Sequence, residues 1–282
     1  MKQKEGELME NPQDSSPAKK SRTIIELTHL RKVFQIGKER VVALNDISLS
    51  IQEGEICCLL GTSGSGKSTL LNMMAGLDKP TAGQIVICGQ HLEKMSERRI
   101  TLLRQKYMGF VFQSYNLLPN LTAIENVALP LTFRGVRARK RNPIAVAMLK
   151  AVGLGSRMKH KPTQMSGGQQ QRVGIARAFA AKPKIIFADE PTGNLDSKTT
   201  VEVMEMMVRM ARENKQTMII VTHERSIARY ADKIYFMRDG CIYHIDRDAS
   251  GMPLEPVDEA VPAETQAMAS SPEDTARVSH QN

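Results

Sequence analysis

Along residues 23–248, short apolar runs alternate with longer stretches of helical spacing. Eight runs have the β-branched or continuously apolar character of strands: 24–27, 47–51, 56–60, 85–87, 109–112, 185–188, 218–221 and 234–237. Helices are predicted after Gly66, over 97–106, after Ser166, over 199–214 and over 224–231. From residue 185 onward strand and helix alternate, which is the rhythm of a parallel α/β core. Between Pro119 and Met165 no strand pattern appears, and 143–152 is helix-like. An inserted helical subdomain is therefore expected over about 115–165. In the 199–214 helix, Val201, Met204, Met207, Val208 and Ala211 recur at helical spacing and predict a core-facing stripe. Residues 1–22 and 249–282 are polar or rich in Ala, Ser, Pro and Glu and lack periodicity, so both are expected to be disordered tails.

Composition narrows the class. No apolar run approaches the roughly 18 residues of a membrane-spanning helix. The N-terminus has no apolar core of the secretory type, so no signal is expected there. Four cysteines, Cys57, Cys58, Cys88 and Cys241, have no metal-ligand spacing, and the adjacent pair inside a strand-like run suits buried free thiols of a reducing compartment. Seventeen methionines predict a Met-rich core. The net charge of +9 is uneven: the two terminal stretches together carry −4, so residues 23–248 carry +13 by difference. A basic core fits nucleic acid, anionic headgroups or bound nucleotide. The basic run 134–141 reads as a solvated face or as a contact for anionic headgroups.

The chemistry begins at Gly61. Residues 61–68, GTSGSGKS, fit G-x-x-x-x-G-K-[ST] at every fixed position, with the EICCLL strand before them and a helical pattern after them. Gly61, Gly64 and Gly66, with Ser63 and Ser65 between them, allow backbone N–H groups to wrap a phosphate, and the following helix, from Lys67 through Thr69, points its positive end at the same anion. Lys67 is placed to reach β- and γ-phosphates and Ser68 to ligate Mg²⁺. The run 184–190, KIIFADE, is an apolar strand ending in two carboxylates. Asp189 at the strand end suits Mg²⁺, and Glu190 one step on could polarise an attacking water. Ser166, Gly167, Gly168 and Gln169 open another helix, with Ser166 a good N-cap, and so form a second anion site. One chain with one phosphate loop leaves that second site free to close over the nucleotide of another copy.

The order of phosphate loop, Gln113, SGGQ, hydrophobic-Asp-Glu and Thr222-His223 resembles the ATP-binding subunit of ABC transporters over nearly all of 23–248. The stretches GFVFQSYNLLPNLTAIENVALPL and ADEPTGNLDSKT resemble the macrolide-export, lipoprotein-release and antimicrobial-peptide-export group. The resemblance implies a P-loop NTPase core of α/β class with a mainly parallel sheet, an N-terminal antiparallel β portion and an inserted α-helical subdomain. It implies ATP and Mg²⁺ as cofactors and Mg²⁺-dependent ATP hydrolysis coupled to export. By it, Gln113 touches Mg²⁺ and the attacking water, His223 holds the γ-phosphate, Asp196 crosses a dimer interface and Phe34 stacks on adenine. The family often has Tyr where this chain has Phe34, and Leu where it has Met165, a volume-conserving change. The implied partners are a second copy, head to tail, and a separate transmembrane permease that would hold the chain at the cytoplasmic face of the membrane.

Other readings compete. A cell-division relative of the same group would signal through a membrane partner without moving a substrate. DNA-repair relatives of the superfamily insert coiled coils or zinc modules, and neither a heptad run nor a Cys pair lies between Gln113 and Ser166. No direct nucleic-acid partner is therefore expected. Translation-associated relatives carry two cassettes, and this chain carries one.

Overall fold

The computed structural model describes residues 22–246. The chain enters as a long antiparallel hairpin, β1 (Thr23–Ile36) and β2 (Glu39–Gln52). It continues through β3 (Ile56–Gly61), α1 (Lys67–Met74), β4 (Ala82–Ile87), β5 (Gln90–His91), α2 (Glu97–Tyr107) and β6 (Met108–Phe112). Helices α3 (Ala123–Phe133), α4 (Ala138–Ala151) and α5 (Gly167–Ala180) follow. The last part is β7 (Ile185–Asp189), α6 (Ser197–Glu213), β8 (Thr217–Thr222), α7 (Arg225–Ala228), β9 (Lys233–Arg238) and β10 (Cys241–Asp246).

Two sheets result. One is antiparallel, in the order β2-β1-β4-β5; the other runs β10-β9-β3-β8-β7-β6. In the larger sheet β9, β3, β8, β7 and β6 are parallel and only β10 is antiparallel. The mainly parallel core and the N-terminal antiparallel portion are thus both present. Parallel strands share one edge for their carboxyl ends, which is where α/β sheets hold ligands. The phosphate loop after β3, the acids ending β7 and His223 after β8 are therefore neighbours.

Strand β3 shows why its sequence is apolar without alternation. Cys58 and Leu60 pack with α5 and α6 on one face, while Cys57 and Leu59 pack with α1 and the hairpin sheet on the other. A strand covered on both faces reads as a continuous apolar run. Burial also pushes the thiols of Cys57 and Cys58 far up, which disfavours their thiolate forms.

Helices α3 and α4 fill the region expected to be helical and pack on α5. Helix α4 starts at Ala138, five residues before the expected 143, so Pro143 lies inside it and leaves the Arg139 carbonyl without its helical donor. The predicted stripe on α6 is displaced. Val203, Met204, Met207, Met210 and Ala211 are buried, whereas Val201 is 38% exposed and Val208 is half-buried. Val201 and Val208 lie roughly a third of a turn around the helix from Met207. Helix α7 is a single turn rather than the eight residues expected, and the apolar pattern did not predict β5 or β10. The expected tails, except for Arg22, lie outside the described residues. No helix among the described residues is long and apolar enough to cross a membrane.

Candidate functional site

The loop after β3 is folded so tightly that neither of its end glycines, Gly61 and Gly66, has room for a side chain. A β-carbon at Gly61 would sit 2.3 Å from the Met237 carbonyl oxygen. Gly66 is the N-cap of α1 at φ 96, and a β-carbon there would lie 2.6 Å from the Ala43 carbonyl oxygen. With no side-chain cap and no acid in its first turn, α1 leaves its first N–H groups to a ligand. Lys67 is 6% exposed, and its Nζ donates to the carbonyls of Gly61 and Thr62, each at 2.8 Å. Burial holds its ammonium below the usual lysine range. The buried Ser65 hydroxyl has no protein partner. A buried cation turned onto two carbonyls, beside free donors and an unmatched hydroxyl, fits a phosphate that takes over those bonds.

The acids lie opposite. Ser68 donates to Asp189 Oδ1 at 3.3 Å, and burial raises the Asp189 carboxyl above its ordinary range. Glu190 stands in left-handed backbone at φ 45, which is costly for a residue with a side chain. Its N–H donates to Val221 O at 2.9 Å, and its carbonyl accepts from Gly193 N at 3.1 Å. The resulting turn sends Glu190 Oε1 to within 3.0 Å of His223 Nδ1.

These groups share one cleft of about 880 Å³. Among the predicted residues, Gly61, Ser63, Gly64, Gly66, Lys67, Ser68, Thr69, Gln113, Glu190 and His223 line it. Asp189 joins through Ser68, and Ser65 lies within the loop beside Gly61. Gln113 is held on the other side by Asn194 Nδ2, which donates to its carbonyl at 3.0 Å, and by close packing against Gly193. Phe34 does not line the cleft. It is 37% exposed and directly opposite Val41, which does line it, so both side chains share one face of the hairpin.

The remaining predicted residues stand apart. Ser166, Gly167, Gly168, Gln169 and Asp196 are absent from the cleft lining. Ser166 and Gln169 form a reciprocal capping box at the start of α5, with Ser166 Oγ accepting from Gln169 N and Gln169 Oε1 from Ser166 N. Asp196 caps α6, accepting from Thr199 N at 3.0 Å and Thr199 Oγ1 at 2.7 Å, and these bonds hold its carboxyl below the ordinary range. The two caps adjoin, because a β-carbon on Gly168 would lie 2.9 Å from Thr199 Cγ2.

Several cleft residues escaped the sequence reading: Val41, Val42, Arg225, Arg238 and Tyr243. Tyr243 is the extra residue of a bulge between Ile242 and His244, and bulges re-aim side chains in ways that no period-2 pattern reveals. The Asp239-Gly240 pair just before it is the signal that could have found this hairpin.

Comparison with known proteins points to one family. The family model described as ABC transporter matches residues 44–193. An uncharacterized ABC transporter ATP-binding protein of Thermotoga maritima is 47% identical over 224 residues, covering 79% of this chain and 95% of that protein. The macrolide export ATP-binding/permease protein MacB of Shewanella sp. is 42% identical over 250 residues, 88% of this chain but 38% of its own length. Among solved structures, a dimer of the ATP-binding cassette MJ0796, in a post-hydrolysis state bound to ADP and Pi, superposes with a TM-score of 0.75 at 41% identity. That match covers 79% of this chain and 98% of the other. A phosphate loop, a carboxylate-ended strand and an SGGQ helix on one matching fold place the protein: it belongs to the ABC transporter family, as an ATP-binding cassette and an ATPase.

Proposed function

We propose that two copies of this chain close head to tail over two ATP molecules and drive a separate transmembrane permease from the cytoplasmic face of the membrane. The cargo class we assign is a peptide, lipid-linked or drug-like molecule that is exported, which the 42% identity to a macrolide exporter supports. The observation that carries the reading is the separation of two anion sites. The loop at Lys67 and the helix start at Ser166–Gln169 are both read as phosphate sites, yet only the first lines the cleft of its own chain. A second copy supplies the missing half.

In this reading Lys67 exchanges the Gly61 and Thr62 carbonyls for the β- and γ-phosphates. Ser68, Asp189 and Gln113 offer oxygen donors alone, the set that suits Mg²⁺. That ion, when bound, draws charge from the phosphate oxygens. Glu190 accepts the proton of the attacking water, and His223 at 3.0 Å orients the carboxylate and reaches the γ-phosphate. Phe34, sharing a face with Val41, stacks on the base. Asp196 lies at the rim that meets the other copy. A separate apolar groove of about 310 Å³ includes Leu77, Phe112 and Phe133, with Phe133 64% exposed. Phe112 immediately precedes Gln113, so a permease segment in this groove would sense the cleft.

Glu190→Gln keeps shape and hydrogen bonding but removes the base, a change that costs about 10²–10⁴ in rate. The variant should bind ATP and run as a dimer with Mg²⁺-ATP and a monomer without it, on size-exclusion chromatography with light scattering. Adding Ser166→Arg should abolish that dimer while sparing ATP binding. A Glu190→Gln protein that binds ATP and stays monomeric, with and without its permease, would sink the two-site reading.

A further inference from the structure

We propose that Gln171 is a positioning residue for Glu190, tying the SGGQ helix to the catalytic turn of the same chain. The inference rests on the reading of Glu190 as the base. Gln171 lies inside α5, fully buried, two residues beyond Gln169. Its Nε2 donates to the carbonyl of Pro191, the residue after Glu190. Its Oε1 is buried with no partner. An apolar side chain of the same length would bury as well without leaving an oxygen unmatched. What Gln171 provides, and such a residue would not, is the N–H aimed at Pro191.

That bond acts where the backbone is strained. Glu190 occupies φ 45, a conformation that persists only when its surroundings over-determine it. On its N-terminal side the clamp is the Glu190 N–H bond to Val221 O. On its C-terminal side, proline fixes its own φ, so the orientation of the Pro191 carbonyl sets the turn that follows. Gln171 holds that carbonyl, and Gly193 N holds the carbonyl of Glu190. With both ends of Glu190 pinned, its carboxylate is aimed at His223 and the cleft. The same helix begins with Ser166–Gln169, which in the proposed dimer touches the nucleotide of the other copy.

The test is a double-mutant cycle on the full chain. Gln171→Met keeps length and burial and removes the donor. Misplacing a reacting group by about 1 Å costs on the order of 10²-fold, so kcat should fall roughly 10- to 100-fold with KM for ATP unchanged, while the buried Pro191 carbonyl left without its donor lowers the melting temperature modestly. In a Glu190→Gln background the same change should cost nothing further, because a group that acts through Glu190 has nothing left to position. Gln171→Glu is the second variant: its carboxyl offers Pro191 a donor only when protonated, so its kcat relative to the unmodified protein should recover as pH falls, which Gln171→Met cannot do. Unchanged kcat in Gln171→Met overturns the proposal. So does a loss that multiplies that of Glu190→Gln, or a fall of kcat in step with ATP affinity. If Glu190→Gln itself keeps full activity, the base assignment has failed instead, and the cycle separates that result from the others.

Discussion

Helices α1 and α5 both start at glycine-rich segments expected to hold phosphate, and they are built in opposite ways. At α1 the N-cap is Gly66, with no side chain to satisfy the first N–H groups, and at Gly61 and Gly66 the loop is locked by backbone contacts too close for a β-carbon. At α5 the N-cap is Ser166, and Gln169 completes a capping box, so the helix is already satisfied. The first end is pre-organised and unmatched; the second is self-sufficient and exposed. In the proposed dimer the first end holds nucleotide within the single chain and the second meets it only when another copy arrives, and an exposed helix start waiting for a partner is more stable with its own cap.

Substitutions can break this contrast. The largest effect is expected at Gly66. Gly66→Ala forces left-handed backbone on a residue with a β-carbon and drives that carbon toward a backbone carbonyl 2.6 Å away. The two terms together cost about 2–5 kcal/mol, read as a lower midpoint in denaturant unfolding, with ATP binding lost as well. Next is Ser166→Ala, which removes a cap worth about 1 kcal/mol in the same assay and leaves ATP binding by the single chain intact. Gly167→Ala sharpens the comparison. Its β-carbon meets only the far end of the Tyr115 side chain, the hydroxyl at 2.7 Å and Cζ at 3.7 Å, and no backbone. Its cost should stay below about 1 kcal/mol, since alanine is also the better helix former. Equal losses at Gly66 and Gly167 would refute the claim that only the first loop is locked by backbone.

The same contrast explains what the sequence could reveal. The phosphate loop was legible because its glycines answer local backbone demands, and β3 because both its faces are buried. Asp189 and Glu190 were legible as an apolar strand ending in charge. The left-handed turn at Glu190 was not, since it arises from bonds to Val221 and Gly193, one of them from a strand thirty residues away. Gln171 looked like one of three consecutive glutamines, and only tertiary packing separates the buried one from its neighbours. Tyr243 reaches the cleft by a bulge, and the α6 stripe is rotated because packing, not spacing alone, selects the buried face.

The smallest expected effect concerns two aspartates, one at each region. In the cleft, burial raises the Asp189 carboxyl, so its ionised form is disfavoured by folding. A folded pKa above the unfolded value means that the folded state binds the proton more tightly, and stability falls as pH rises through that window. Asp189→Asn removes the penalty and keeps a partner for Ser68. The ligand-free variant should therefore melt slightly higher than the unmodified protein at neutral pH. That gain should fade as pH falls through the raised pKa toward the ordinary aspartate value of about 3.9. Asp196 has the opposite sign: its Thr199 bonds lower its pKa, so its contribution is present above the unfolded value and lost as pH falls through the folded one. Asp196→Asn should then melt slightly lower at neutral pH and converge with the unmodified protein in acid. Adding Mg²⁺-ATP should reverse the order at Asp189, because the unmodified cleft gains a bound cation that the asparagine variant holds poorly, and should leave the difference at Asp196 unchanged in the single chain. Melting curves for both variants from acid to neutral pH, with and without Mg²⁺-ATP, give the readout. If Asp189→Asn destabilises the ligand-free protein at neutral pH, the Asp189 carboxylate is a structural anchor rather than a desolvated ligand held for a cation.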